Sequence, residues 1–416
     1  MSAPRTLLLF LLFAAFVSSQ ALGQERPESS RGGGLDLTVN GTGLAIGHIP
    51  RVNGIRINFR DRYLEEVNGL NLTLWYPRRN TQVGGSVNGL ALGLTVPAAD
   101  RLSGISVGGL AVVSHQRLSG IGVGGLAVVS EGMIQGIAVG GLATVANGKA
   151  SGIQIGGLAT VSEGLSTGLA LGGLATVNSG GVTGINIGGL ATVSEGPSRG
   201  INLGGLATVT NGGSTGVNVG GLAAVEGQGS FQGIQLGGLA VVGDRGVEGI
   251  SAGGLAVVAG EGSVRGIQVG GLAVVAGGGD MTGVSLGGLA VVAGKGVARG
   301  VNIGGLAVVG VDGVDGLNIG GLAVASDEFI RGASFGAYKV EAPLGKGLSG
   351  AVWKVDVDDF EGLSVAAWNQ HDSRSRGLSI GLFNWAQELH GIQVGLLNYA
   401  GNNDRFPWMP IVNAHF

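Results

Sequence analysis

The chain contains no cysteine, so no disulfide and no thiol ligand or nucleophile enters any account of it. Proline is scarce, at nine residues, and charged residues make up only 12%. A collagen-like or charge-swollen disordered chain is thereby excluded, and a positive mean hydropathy of +0.41 agrees. The net charge of −3 leaves no basic stripe to follow a phosphate backbone, so nucleic acid is not the expected partner. Aromatic residues are few, at 5%, and the stretch 104–332 holds only Phe231 and Phe329, both between its apolar segments. Beyond the N-terminus no run reaches the ~18 apolar residues of a spanning helix.

What is abundant is glycine, with 88 residues in 416. Residues 1–23 first read as a secretory signal: Arg5, the apolar "TLLLFLLFAAFV" (6–17), and small residues Ala21 and Gly23 before the cleavage point. Export follows as an expectation. Divergent β repeats then occupy 24–103, a fourteen-unit GGLA array 104–332, and further divergent β repeats 333–416. The array units begin at a glycine, from Gly104 to Gly316, and recur every 16 residues, or 17 in four places. The extra residue always falls in the polar tail, as it does when a strand is fixed and its turn is elastic.

"GINIGGLATVS" (184–194) alternates. Ile185, Ile187, Gly189, Ala191 and Val193 form one set; Asn186, Gly188, Leu190, Thr192 and Ser194 form the other. Period two with β-branched residues predicts a strand, and the paired glycines disfavour a helix. Tails such as "EGPSR" and "NGGST" carry turn chemistry. Pro97 and residues 338–346 are plausible breaks.

Two all-β architectures fit one strand plus turn per 16–17 residues. One is an antiparallel meander closed into a β-barrel; the alternative is a parallel β-solenoid, with GG at a corner and Ile, Leu and Val filling a narrow core. The tails alternate. Even units end on Gln135, Thr167, Arg199, Gln232, Arg265, Arg299 and Arg331; odd units end on Ser119, Ser151, Thr183, Thr215, Glu248, Thr282 and Asp315. Glu131, Glu163, Glu195, Glu226 and Glu261 recur in even tails only. A period near 32 residues favours the meander, whose turns lie at opposite rims. A solenoid explains part of it, because alternation keeps like charges off adjacent coils about 5 Å apart. Uncharged strands of about ten residues and the terminal Phe416 suit an outer-membrane barrel. Girdle-like aromatics appear only in the flanks, as Trp75, Tyr76, Trp368, Trp385 and Tyr399, and their absence from the array opposes that reading.

The closing stretch "RGLSIGLFNWAQELHGIQVGLLNYAGNN" and the G-[IV]-x-[IV]-G-G-L array resemble the bacterial surface-repeat proteins, whose units read G-[VI]-Q-[IV]-G-L-x-N. The resemblance spans nearly all of the chain after residue 23. It departs in the array, where Ala or Thr replaces the Asn kept at Asn369, Asn384 and Asn398. It implies an exported, envelope-associated protein and carries over no catalytic residue.

Chemistry-bearing motifs are thin. The histidines His48, His115, His371, His390 and His415 are scattered and read as solvated turn residues. "GIGVGG" (120–125) is one strand repeat rather than a nucleotide loop, and "DVDD" (356–359) lacks the spacing of a calcium loop and reads as a solvated turn. A run of Thr144, Thr160, Thr176, Thr192 and Thr208 would give a flat exposed ladder, of the kind that binds ice, if the strands stacked in parallel. No catalytic, cofactor-binding or metal-ligating residue is singled out. The expectation is a non-enzymatic protein of a bacterial envelope, with outer-membrane lipid or other envelope components as partners. The competing expectation is a soluble or surface-attached solenoid scaffold or adhesin.

Overall fold

A computed structural model describes residues 33–77 and 83–416; the segment read as a secretory signal lies outside the described residues. Two compact units divide between Asn147 and Gly148 in sequence. Each is a parallel β-solenoid, and the turns counted over both come to about 21. The antiparallel meander and the barrel are therefore overturned. Within the second unit Thr183 of one repeat pairs with Arg199 of the next, Gly184 with Gly200 and Ile185 with Ile201, all in parallel register.

The leading glycine explains why. Gly184 has φ +129°, outside what side-chain-bearing residues readily adopt. A Cβ there would overlap the carbonyl oxygen of Gly168, and one on Gly200 would overlap that of Gly184. Such contact requires every leading glycine to lie on its own copy, which parallel in-register stacking alone provides.

Each array coil holds two strands. A long one such as Val182–Gly188 is followed by the GG corner and a short one such as Ala191–Ser194, and the polar tail returns the chain. Alternation holds, but its sides differ from the expected filling. Asn186, Gly188, Thr192 and Ser194 point inward, whereas Ile185 and Leu190 are exposed. The GG corner is so tight that a Cβ on Gly189 would overlap the Gly173 carbonyl oxygen. Beside the corner the interior is accordingly narrow and takes Asn, Ser, Thr, Ala and Val, whereas the start of the long strand admits Ile134, Phe231, Met281 and Ile330. The bulkier Ile and Leu form columns outside.

The tails also stack in one column instead of alternating between rims. Glu248 sits in register with Arg265, and Asp315 between Arg299 and Arg331. Arg265 and Glu248 meet at 3.1 Å. The 32-residue period is thus alternation along a single column, in which Thr or an acid separates the arginines and keeps like charges from lying about 5 Å apart.

In the first unit a hairpin opens the coil: Gly34–Val39 pairs antiparallel with Thr42–Gly47 around Asn40-Gly41, both at positive φ. Parallel coils follow from Arg51–Asn58 through Met133–Gly140. Pro97 precedes the strand Ala98–Gly108 without interrupting the stack. In the second unit, residues 339–346 are not a break but part of the strand Lys339–Ala351. From there the coils are longer strands, up to Phe383–Ala400, and Trp408–His415 closes the end antiparallel to it.

Candidate functional site

The threonine run does stack: Thr176 is in register with Thr160 and Thr192. Its side chains face inward, however, and all five are at most 2% exposed. Thr160 and Thr208 donate their hydroxyls to the carbonyls of Leu171 and Val219 at 2.7 Å. An ice-binding face on these residues is overturned, because the ladder is core. Amides stack beside it: Asn202 donates to Asn218 at 2.7 Å, and Asn369 to Asn384 and Asn384 to Asn398 at the same distance. These side chains bond to their own copies one coil away and present nothing to a ligand.

Glu226 falls one position away from the exposed turn glutamates. It is in register with Thr210, in the inward column, and is 1% exposed. It follows its leading Gly216 by ten residues, where Glu131, Glu163 and Glu195 follow theirs by eleven, and so takes the last inward place of the short strand. Its carboxylate accepts from the Ser214 hydroxyl at 2.5 Å and the Gly213 N–H at 2.8 Å. Burial outweighs these bonds and pushes the carboxyl up to about 7.

The first unit holds a second buried polar cluster that sequence did not single out. Arg56 and Asp61, both fully buried, pair at 3.2 Å. Asn71 donates to Asp61 at 2.9 Å and Thr73 at 2.9 Å, and the Ala98 N–H reaches it at 3.1 Å. Of the loop 59–65 only Asp61 and Leu64 are buried, and burial lowers the Arg56 guanidinium.

The histidines are not all solvated turns. His371 is fully buried, stacks on Phe360 at 5.1 Å, and its Nδ1 lies 2.7 Å from the Val357 carbonyl. Burial pushes it down to about 4. His115 lies 2.8 Å from the Glu131 carboxylate. His48 is lowered by burial first and by Arg56 and Arg62 next. His390 and His415, far apart in sequence, come within 6.5 Å. Among the described residues no group of three or more His, Asp or Glu is arranged to hold a metal ion. "GIGVGG" (120–125) is the end of the strand Ala111–Gly124 with the first residue of the corner after it.

"DVDD" is a strand segment, not a turn. Asp356 and Asp358 line a groove of about 510 Å³ together with Asp327, Glu341 and Asp372. Lys339 and Lys354 bond to Asp356 at 2.8 and 2.9 Å. Burial, then Asp372, Asp356 and Glu341, raises the Asp358 carboxyl. A second groove, of about 410 Å³, is lined by Trp353, Trp368, Phe383, Trp385 and Trp408 near the closing hairpin. Its one polar side chain, Asn384, is spent in the amide ladder. The flank aromatics expected as a membrane girdle instead include this cluster, in which Trp385 stacks on Tyr399 at 3.9 Å.

The arrangement supplies stacked outer columns and a polar interior in which some amides bond to their own copies, while others, such as Asn178 and Asn186, are buried with no hydrogen-bond partner among the described residues. No family model, curated protein or solved structure matches the chain.

Proposed function

We propose that the chain is a non-enzymatic β-solenoid scaffold, exported and attached at the surface of a bacterial cell envelope, where its repeated outer columns serve adhesion or assembly. One observation carries this reading. Successive coils present the same outward residues in register, as with Ile185 on Ile201 and Leu171 on Ile187, so the surface repeats about every 5 Å. Such a surface suits extended contact with another repetitive or planar structure. The apolar start of the sequence and the resemblance of "GIQVGLLNYA" to surface-repeat units support export and envelope attachment.

Fractionation of the native host tests it. The mature chain is expected in the envelope fraction, with its N-terminus near residue 24, and a carbonate wash without detergent should release it. Recovery of the uncleaved chain from the cytosol would remove the export reading. A requirement for detergent would remove surface attachment.

A further inference from the structure

The second unit turns two outward positions of every long strand into columns that lack any polar side chain. They run from Leu169 and Leu171 to Ile392 and Val394, through Ile250, Ile267 and Val269, which are 41–46% exposed. Between Leu169 and Leu348 this band is roughly 60 Å long and 13 Å wide, about 800 Å². That is the area each partner contributes to a standard stable interface, and it exceeds the apolar patch a monomer ordinarily exposes.

We propose that this long-strand face is a self-association surface on which a second copy of the chain docks with its coils in reversed order. The charged column beside the band identifies the occupant. Place a two-fold axis along the strands, between the coils of Glu248 and Arg265. Glu248 then faces the second copy's Arg265, and Arg265 its Glu248. Three coils outward on either side, Arg199 faces Asp315. Arg331 meets Thr183 and Lys346 meets Thr167, so no like charges oppose one another across this span. About this axis the column is complementary to itself when inverted. Mixed sign also argues against an anionic lipid surface, which selects a basic border. Because each copy uses one face, the pair closes and does not propagate. The inference is independent of export.

Sedimentation and light scattering on the purified full chain should show a concentration-dependent dimer. Glu248→Arg gathers four cations at the axis and should weaken the dimer about tenfold or more, with the far-UV circular dichroism unchanged. Adding Arg265→Glu reverses the quartet and should restore it. A second measurement avoids any folding defect. Since the chain has no cysteine, Gln232→Cys and Thr282→Cys introduce single thiols that the axis brings face to face, about 10 Å apart. A short bismaleimide should join a mixture of the two variants and leave Gln232→Cys alone unjoined. A monomer at every concentration overturns the proposal, as does a charge-swapped double variant no better than the single. Flotation of a monomer with phosphatidylcholine vesicles would transfer the face to lipid.

Discussion

Coils before and after Phe231 in the second unit share a backbone and differ in what fills it. From Ala150 to Glu226 the inward positions are largely polar: Ser162, Asn178, Ser194 and Thr210 in one column, Thr160, Thr176, Thr192 and Thr208 in another. After Phe231 the same columns read Val241, Val257, Val274 and Val291, then Ala259, Ala276 and Ala293. A continuous apolar core runs from Ala224 to Ala366. The long strands, the leading glycines and the outer Ile columns hardly change. Glycine and corner geometry therefore set the coil, and the filling sets how strongly it holds.

The sharpest way to break that comparison is to attack what the two regions share. Gly184→Ala and Gly266→Ala each force a side chain into positive φ and onto a carbonyl of the preceding coil. Each should cost about 5 kcal/mol, equally in the polar and apolar halves, read from urea unfolding. A loss confined to one half would show that filling, not backbone, sets the coil.

Next in size is the filling itself. Phe231 is fully buried at a position where the previous coil has Ser214. Phe231→Ala should cost about 4 kcal/mol through the cavity it leaves. Ser198→Ala, in the polar half, removes only one bond, that from Asn202 at 2.6 Å, and should cost about 1 kcal/mol.

A titration sharpens the boundary between the halves, where Glu226 lies. Its carboxyl titrates near 7 in the fold against a normal 4.5. The protonated form is favoured in the folded state, so its contribution is whole below pH 4.5 and is lost as pH rises through 7. Stability should fall by on the order of 3 kcal/mol across that window. His371 has the opposite slope: its pKa drops from 6.5 to about 4, so its contribution is present above pH 6.5 and lost as pH falls through 4. Thermal unfolding of Glu226→Gln between pH 4 and 8 should lose the falling limb and keep the rising one.

The repeat, the strand period, the GG corner and the turn tails were legible in the sequence because each is a local property. The opening hairpin was not singled out, although Asn40-Gly41 between alternating residues is a local turn signal. Chain direction was not legible, since a strand plus a turn serves a meander and a coil alike. The tails misled because two-coil charge alternation and two-rim alternation have the same period. Sidedness was hidden for a related reason: Ile185 and Asn186 alternate whichever of them is inside, and only the narrowness of the corner decides. Glu226 points inward because it follows Gly216 by ten residues where Glu131, Glu163 and Glu195 follow their leading glycines by eleven, a difference the spacing carried but grouping them as one column hid. The aromatic groove joins Trp353 to Trp408 across several coils, a contact no local pattern carries.

The smallest effect bears most directly on why one half tolerates a polar filling. Thr160 and Thr208 donate to carbonyls, but the Thr192 hydroxyl is buried without a hydrogen-bond partner among the described residues. The backbone accepts valine at this position, as Val241 and Val257 occupy the equivalent place in later coils. Thr192→Val should therefore remove a desolvation cost and stabilise the unit by about 1 kcal/mol. Thr208→Val should cost about as much, since it leaves the Val219 carbonyl without its hydroxyl donor. Hydrogen exchange of the flanking amides separates the two cases. Slower exchange around Thr192 and faster exchange around Thr208 would show that the polar half is held by particular bonds rather than by polarity, and two changes of the same sign would refute it.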